Sequence, residues 1–161
     1  MTADDYNEAV YQYSDGIYRF ILKNIRDQEK SRDIVQDSFE KLWLHHDEIG
    51  ADVVKSYLYS TAYHRLIDVI RKDSRLSLAA QPPGPESIHT GQYSDLSEIL
   101  HQIAGLLPHT QRSVLMLRDY EGYSYREIAE ITGLSEAQVK VYIYRARVFM
   151  KNYIGKIDVL I

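Results

Sequence analysis

The 161-residue chain contains no cysteine, which excludes both a disulfide framework and a thiolate-held metal. That absence fits a reducing compartment. No run of eighteen apolar residues occurs, so no helical membrane insertion is expected. Thr2, Ala3, Asp4 and Asp5 form neither a basic nor an apolar leader, so no signal peptide is expected and the cytoplasm is the expected address. No Gly-rich phosphate loop is present. The 6 histidines are scattered: His45 and His46 are adjacent and point to different helix faces, and His64 with Asp68 supplies only two ligands. No metal, no cofactor and no catalysis by the chain alone are therefore expected. Proline is scarce, and three of the 4 fall together as Pro82, Pro83 and Pro85. Proline blocks helix continuation, so this stretch marks a linker.

What is present is helical periodicity. Residues are 45% hydrophobic, enough for a buried core, although two halves of such a chain would each be small and marginal. Tyr6, Ala9, Val10, Tyr13, Ile17, Phe20, Ile21 and Ile25 recur at three- and four-residue steps, the period of one helix face. Ile34, Val35, Phe39, Leu42 and Trp43 mark a second helix with these residues in its core, and the stretch 45–50 reads as a loop. Val54, Tyr57, Leu58, Ala62, Leu66, Val69 and Ile70 mark a third. After the linker, Ile99, Ile103, Leu106 and Leu107 begin a second helical group. No strand alternation appears. The expected fold is all-α: a three- to four-helix domain over 1–75, a flexible linker over 76–95, and a four-helix domain over 96–161.

Charge is segregated along this frame. The chain carries a formal −4, and residues 1–48 hold 6 Lys/Arg against 11 Asp/Glu. Residues 135–156 carry Lys140, Arg145, Arg147, Lys151 and Lys156 against Glu136 alone. Exposed charges beyond about 8 Å are largely screened at physiological salt. A phosphate therefore responds to the local basic stretch rather than to the total, and two kinds of partner are implied.

The basic stretch closes a helix-turn-helix pattern. Ser124 followed by Glu127 is a capping box, Ala129 is small where the next helix crosses, and Gly133 sits at a turn that favours positive φ. Leu134 and Val139 fill the angle between the helices, and Ser135 caps the recognition helix. Its first turns then face the major groove. The expected duplex-reading set is Ser135, Glu136, Gln138, Lys140, Val141 and Tyr144, with Arg145, Arg147 and Lys151 continuing toward phosphates. A plain helical hairpin with a solvated basic face is the bland alternative.

With these residues in view, the chain resembles the extracytoplasmic-function group of bacterial sigma factors over nearly its full length. Leu107 and Pro108, the run from Gly122 through Ala129, Val139 and Lys140, and Arg145 to Arg147 resemble that group's region four. The run from Asp33 through Trp43, then Tyr57, Leu58, Tyr59, Ala62, Ile67, Asp68, Arg71 and Lys72, resemble region two. The resemblance implies that region two docks on the coiled coil of the largest subunit of core RNA polymerase and captures the non-template strand of the −10 element. It implies that region four reads the −35 element of promoter DNA as duplex while holding the polymerase flap, and that an anti-sigma factor is a partner.

The residues suit those roles. Asp33, Gln36, Asp37 and Glu40 line one helix face and fit a basic partner helix, although a solvated acidic face has the same pattern. Tyr59, Tyr63, His64 and Arg65 combine rings with positive charge, the chemistry of single-strand binding. Tyrosines at helical spacing also fit a core. Lys55, Arg71 and Lys72 are candidate phosphate contacts. Tyr63 and His64 stand where the group commonly carries Arg and Asn, which removes an amide's paired donor and acceptor from that position. The competing reading is a helix-turn-helix regulator whose helical amino-terminal half senses a signal. The two readings differ in whether core polymerase initiates with the protein.

Overall fold

The computed structural model describes residues 1–76 and 96–160. The expected linker 76–95 lies outside them except for Leu76, which ends a helix. Among the described residues the chain forms seven α-helices and one 3-10 turn, with no strand. They are α1 (Ala3–Ile25), α2 (Gln28–Leu44), the 3-10 turn (Ala51–Val53), α3 (Val54–Leu76), α4 (Leu96–Ala104), α5 (His109–Asp119), α6 (Tyr125–Thr132) and α7 (Glu136–Leu160).

Local chemistry sets the boundaries. Thr2 and Asp5 form a capping box that starts α1, and Arg26 ends it at φ 53. Asp27 then accepts from the Lys30 amide and starts α2 almost at once. Ser124 and Glu127 close the reciprocal pair expected for α6, which ends at Gly133 with φ 78. A third reciprocal pair opens α7: the Gln138 amide donates to Ser135 Oγ, and the Ser135 amide donates to Gln138 Oε1. The pattern predicted from residues 124–135 is thus present cap for cap.

Two features differ from the sequence reading. Trp43 is half exposed rather than core; it stacks on His46 with centroids 4.4 Å apart and meets Tyr6 edge-on at 5.1 Å. Its ring lies one position past the buried stripe of Ile34, Phe39 and Leu42. The two helical groups also share one core. Ile17, Phe20, Leu58 and Leu66 from the first group and Leu117, Ile128, Val139 and Ala146 from the second belong to one continuous cluster. The shared part lies where α3 meets α6 and α1 meets α5. Small helical groups bury too little apolar surface separately, and packing them together extends the core.

Gly133 and Gly155 make a paired test of backbone effects, since a Cβ at either would meet nothing within 4 Å. Gly133→Ala forces a left-handed φ on a side chain and should cost about 1–2 kcal/mol. Gly155→Ala, inside α7, should instead stabilise by about 0.5–1 kcal/mol. Urea unfolding of both variants measures the opposite signs.

Candidate nucleic-acid interface

The recognition helix is the more open of the two expected DNA surfaces. Val139, Ile143 and Ala146 anchor α7 in the core. That leaves Ser135, Glu136, Gln138, Lys140, Val141, Tyr144, Arg145, Arg147 and Lys151 all exposed. Val141 and Tyr144 retain 45% and 69% of their accessible surface, which is high for apolar and aromatic groups without a partner. These candidates are not equivalent. Ser135 and Gln138 are committed to the cap. Arg147 donates to Asp119 at 2.7 Å, and that bond holds its pKa above the usual arginine value. Lys140 lies 5.6 Å from the Tyr125 ring. Glu136, Lys140, Val141, Tyr144, Arg145 and Lys151 are exposed and outside the cap and the Arg147–Asp119 bond.

On α2, Asp33, Gln36 and Glu40 are exposed, while Asp37 is half-buried. Asp37 lies 3.4 Å from Arg65 of α3, an ion pair between a residue expected to meet polymerase and one expected to meet DNA. A groove of about 950 Å³ runs beside this pair, lined by Asp37, Lys41, Ser56, Tyr57, Ser60 and His64 among others. His64 is held at its edge: its Nδ1 donates to the Ser60 carbonyl at 2.7 Å, and the side chain is exposed. Arg71 and Lys72 are exposed farther along α3.

The remaining α3 candidates face the carboxy-terminal half. Tyr59 is 2% exposed and Tyr63 is 6% exposed. Tyr59 meets Tyr123 edge-on, with centroids 5.1 Å apart. Burial is the largest cause raising both phenols, and their shared hydrogen bond raises Tyr123 and lowers Tyr59. Burial likewise raises Tyr63, whose hydroxyl bonds Thr110 of α5. Lys55 is half-buried, with its ammonium 4.1 Å from the Tyr123 ring centroid and 3.5 Å from Glu127.

Sequence reading missed the residues that complete this contact. Arg19 grips Glu121 with bonds of 3.0 and 2.7 Å. Asn24 is buried, donates to the Phe20 carbonyl, and accepts from Arg112 Nε and Ser113 Oγ at 3.2 Å each. Lys23 sits 3.9 Å over the Tyr120 ring, whose other neighbour, His101, stacks at 5.3 Å. These pairs lie as many as 102 residues apart, so no local periodicity marks them. A weak sign was the placement of Arg19 and Lys23 four residues apart on an otherwise acidic helix.

Comparison with known proteins follows the same two halves. The family description "Sigma-70 region 2" matches residues 9–76, and "Sigma-70, region 4" matches residues 97–150. The ECF RNA polymerase sigma factor SigM of Bacillus subtilis is 27% identical over 164 residues, covering 94% of each chain. The sigma factor SigV of the same organism is 27% identical over 93% of this chain and 91% of its own. Among solved structures, the sigma factor RpoE in complex with the anti-sigma factor NepR from Bartonella quintana has the same fold. Its TM-score is 0.76 at 22% identity, over 95% of this chain and 98% of that one. CnrH in complex with the cytosolic domain of CnrY follows, at 0.70 and 22% over 94% and 88%.

His101 gives the contact a pH dependence. Burial, then the charges of Lys23 and Arg26, hold its pKa below the ordinary 6.5, with Glu98 opposing. The packed state therefore prefers neutral His101. Its contribution is complete above about 6.5 and is lost as pH falls through the lowered folded value. The unfolding midpoint should drop between pH 7.5 and 5.5, and His101→Gln should flatten that slope; an equal slope in the variant would remove His101 as the cause. Two successive sigma-70 regions, relatives matched end to end and a capped helix-turn-helix together identify the chain as a member of the sigma-70 family, in its extracytoplasmic-function group.

Proposed function

We propose that this chain binds core RNA polymerase and directs it to promoters, with region four reading the −35 duplex and region two capturing the −10 strand. The observation that carries the reading is α7. It is capped at Ser135, anchored by Val139, Ile143 and Ala146, and offers Lys140, Val141, Tyr144 and Arg145 outward. Lys140, Arg145 and Lys151 supply phosphate contacts, and Glu136, Val141 and Tyr144 face base edges, where an apolar group can meet a thymine methyl. Ser135 and Gln138 act chiefly by holding the helix start, and Arg147 by bracing α7 on α5.

In region two, Asp33, Gln36 and Glu40 dock the coiled coil of the polymerase largest subunit. Asp37 joins them when Arg65 turns to DNA. His64, Arg65, Arg71 and Lys72 form the accessible strand surface, and Lys55, Tyr59 and Tyr63 join once the carboxy-terminal half moves. The proposed division is region two over 1–75, a linker over 76–95, and region four over 96–161, which also holds the polymerase flap. The chain carries out no catalytic step itself and acts in the cytoplasm; among the described residues no helix is long and apolar enough to cross a membrane. RpoE was solved with the anti-sigma factor NepR and CnrH with the cytosolic domain of CnrY, and the first supports an anti-sigma partner here.

Transcription in vitro with core polymerase on a promoter library tests the reading: initiation should depend on this protein at a defined subset of promoters. Initiation nowhere in the library would sink it, and DNA binding without polymerase-dependent initiation would point to a conventional regulator. Separately, Lys140→Ala with Arg145→Ala should lower the slope of log affinity against log salt by about 2, because each lost phosphate contact removes roughly one released counterion. An unchanged slope would move both residues off the phosphates.

A further inference from the structure

The contact between the two halves has the chemistry of a ligand site. Three cations of region two, Arg19, Lys23 and Lys55, face residues 120–123 of region four. There they meet, in order, the Glu121 carboxylate, the Tyr120 ring and the Tyr123 ring. Tyr59 adds an aromatic edge to Tyr123. The Glu121 side chain is only 4% exposed although its partner Arg19 is 51% exposed, so the anion is enclosed as a docked ligand would be.

Space for it is built in. A Cβ at Gly16 would stand 2.6 Å from the Tyr59 hydroxyl and 3.8 Å from Glu121 Oε2, so the glycine lets both come against α1. The inserted turn is held in shape by Gly122 at φ 76, by Tyr123 N–H donating to the Leu117 carbonyl, and by Arg118 donating to the Tyr123 carbonyl at 2.9 Å.

We propose that Arg19, Lys23, Lys55 and Tyr59 form a masked site for single-stranded DNA, and that Glu121 with its two flanking tyrosines occupies it as an internal stand-in for a phosphate between two bases. The proposal rests on the strand-capturing role given to region two above. An arginine fork binds phosphate in the same bidentate way as carboxylate. Rings that cover ammonium groups are replaceable by bases, which also present π faces. Two of the three cations are ion-paired, Arg19 with Glu121 and Lys55 with Glu127, while Lys23 lies over the Tyr120 ring, so charge remains for a polyanion. An acidic, tyrosine-bearing peptide has related chemistry, but it would leave that third cation unpaired as the turn does. Strand capture and closure are then mutually exclusive: region four has to leave, carrying α6 and α7 with it, before the strand can enter.

The test uses the full chain and a labelled single-stranded oligonucleotide of randomised sequence, read by fluorescence anisotropy. Because the chain has no cysteine, dyes on Tyr11→Cys and Arg126→Cys report domain separation by energy transfer. Glu121→Gln with Glu127→Gln should bind the oligonucleotide about tenfold tighter, as expected if the competent open state is roughly a tenth of the free protein. Glu8→Gln with Glu29→Gln makes the same charge change elsewhere and should shift affinity by less than about twofold, since distant exposed charges are screened. Adding Arg19→Gln to the first pair should cancel most of the gain, and oligonucleotide binding to the wild type should lower energy transfer.

Equal affinity in the Glu121/Glu127 pair and the wild type overturns the proposal, as does oligonucleotide binding with no loss of energy transfer. A peptide copying residues 118–125 that opens the protein where the oligonucleotide does not also overturns it, in favour of a protein ligand. Promoter-directed initiation is scored separately. Initiation with a neutral Glu121/Glu127 pair removes only the masking, whereas a tighter-binding pair without initiation removes only the promoter role.

Discussion

Helix α3 is asked to satisfy two neighbours at once, and most of the structure follows from that constraint. Leu58, Ala62 and Leu66 lie along its length and are fully buried. Tyr59 and Tyr63, each one position further on, are rotated by about 100° and present a second buried edge. That stripe alone leaves both rings to be covered from another side, and Phe20 of α1 covers part of Tyr59. Region four supplies the covering surface with Tyr123 and Thr110, and the core becomes continuous across the two halves.

The contact joins groups of different strength. Its apolar part is continuous with the core of both halves, and its polar part divides by burial. Asn24 is buried with its amide donor and acceptor both engaged, so removing Arg112 and Ser113 together would leave its buried oxygen unmet, at a cost. Lys55 with Glu127, by contrast, is about 40–46% exposed, the regime in which ion pairs are worth about 0–1 kcal/mol. Burial works against Arg112 and Lys23, lowering the pKa of each.

What could be read from the sequence divides along physical lines. Caps and turns are encoded within four residues, so Ser124 with Glu127 and Gly133 were visible before any fold was known. The exposed basic face of α7 was equally visible, because helix periodicity separates Val139, Ile143 and Ala146 from Lys140, Val141 and Tyr144. Periodicity could not separate Trp43 from the core stripe, since one position at a helix edge decides between burial and half exposure. Nor could it say which neighbour would cover Tyr59 and Tyr63. Burial of those rings was among the expected alternatives, but their partners lie across the linker. Arg19 and Glu121 were each unremarkable as surface charges; only the fold brings them within 2.7 Å.

The same argument explains why strand-binding chemistry and a closing surface coincide. A site for single-stranded DNA needs rings and cations presented together on one face. Left open in a free protein, such a face exposes tyrosine surface and unpaired positive charge. Region four is tethered to the same chain, so its local concentration at that face is high without any special affinity. Under the proposed function, polymerase docking on α2 and duplex binding on α7 would have to exceed the sum of these polar contacts and the apolar contact that joins the two halves. Under the proposed masking, the ring-covered cations are the part of this closure that a nucleic-acid strand replaces directly, ring for base and carboxylate for phosphate.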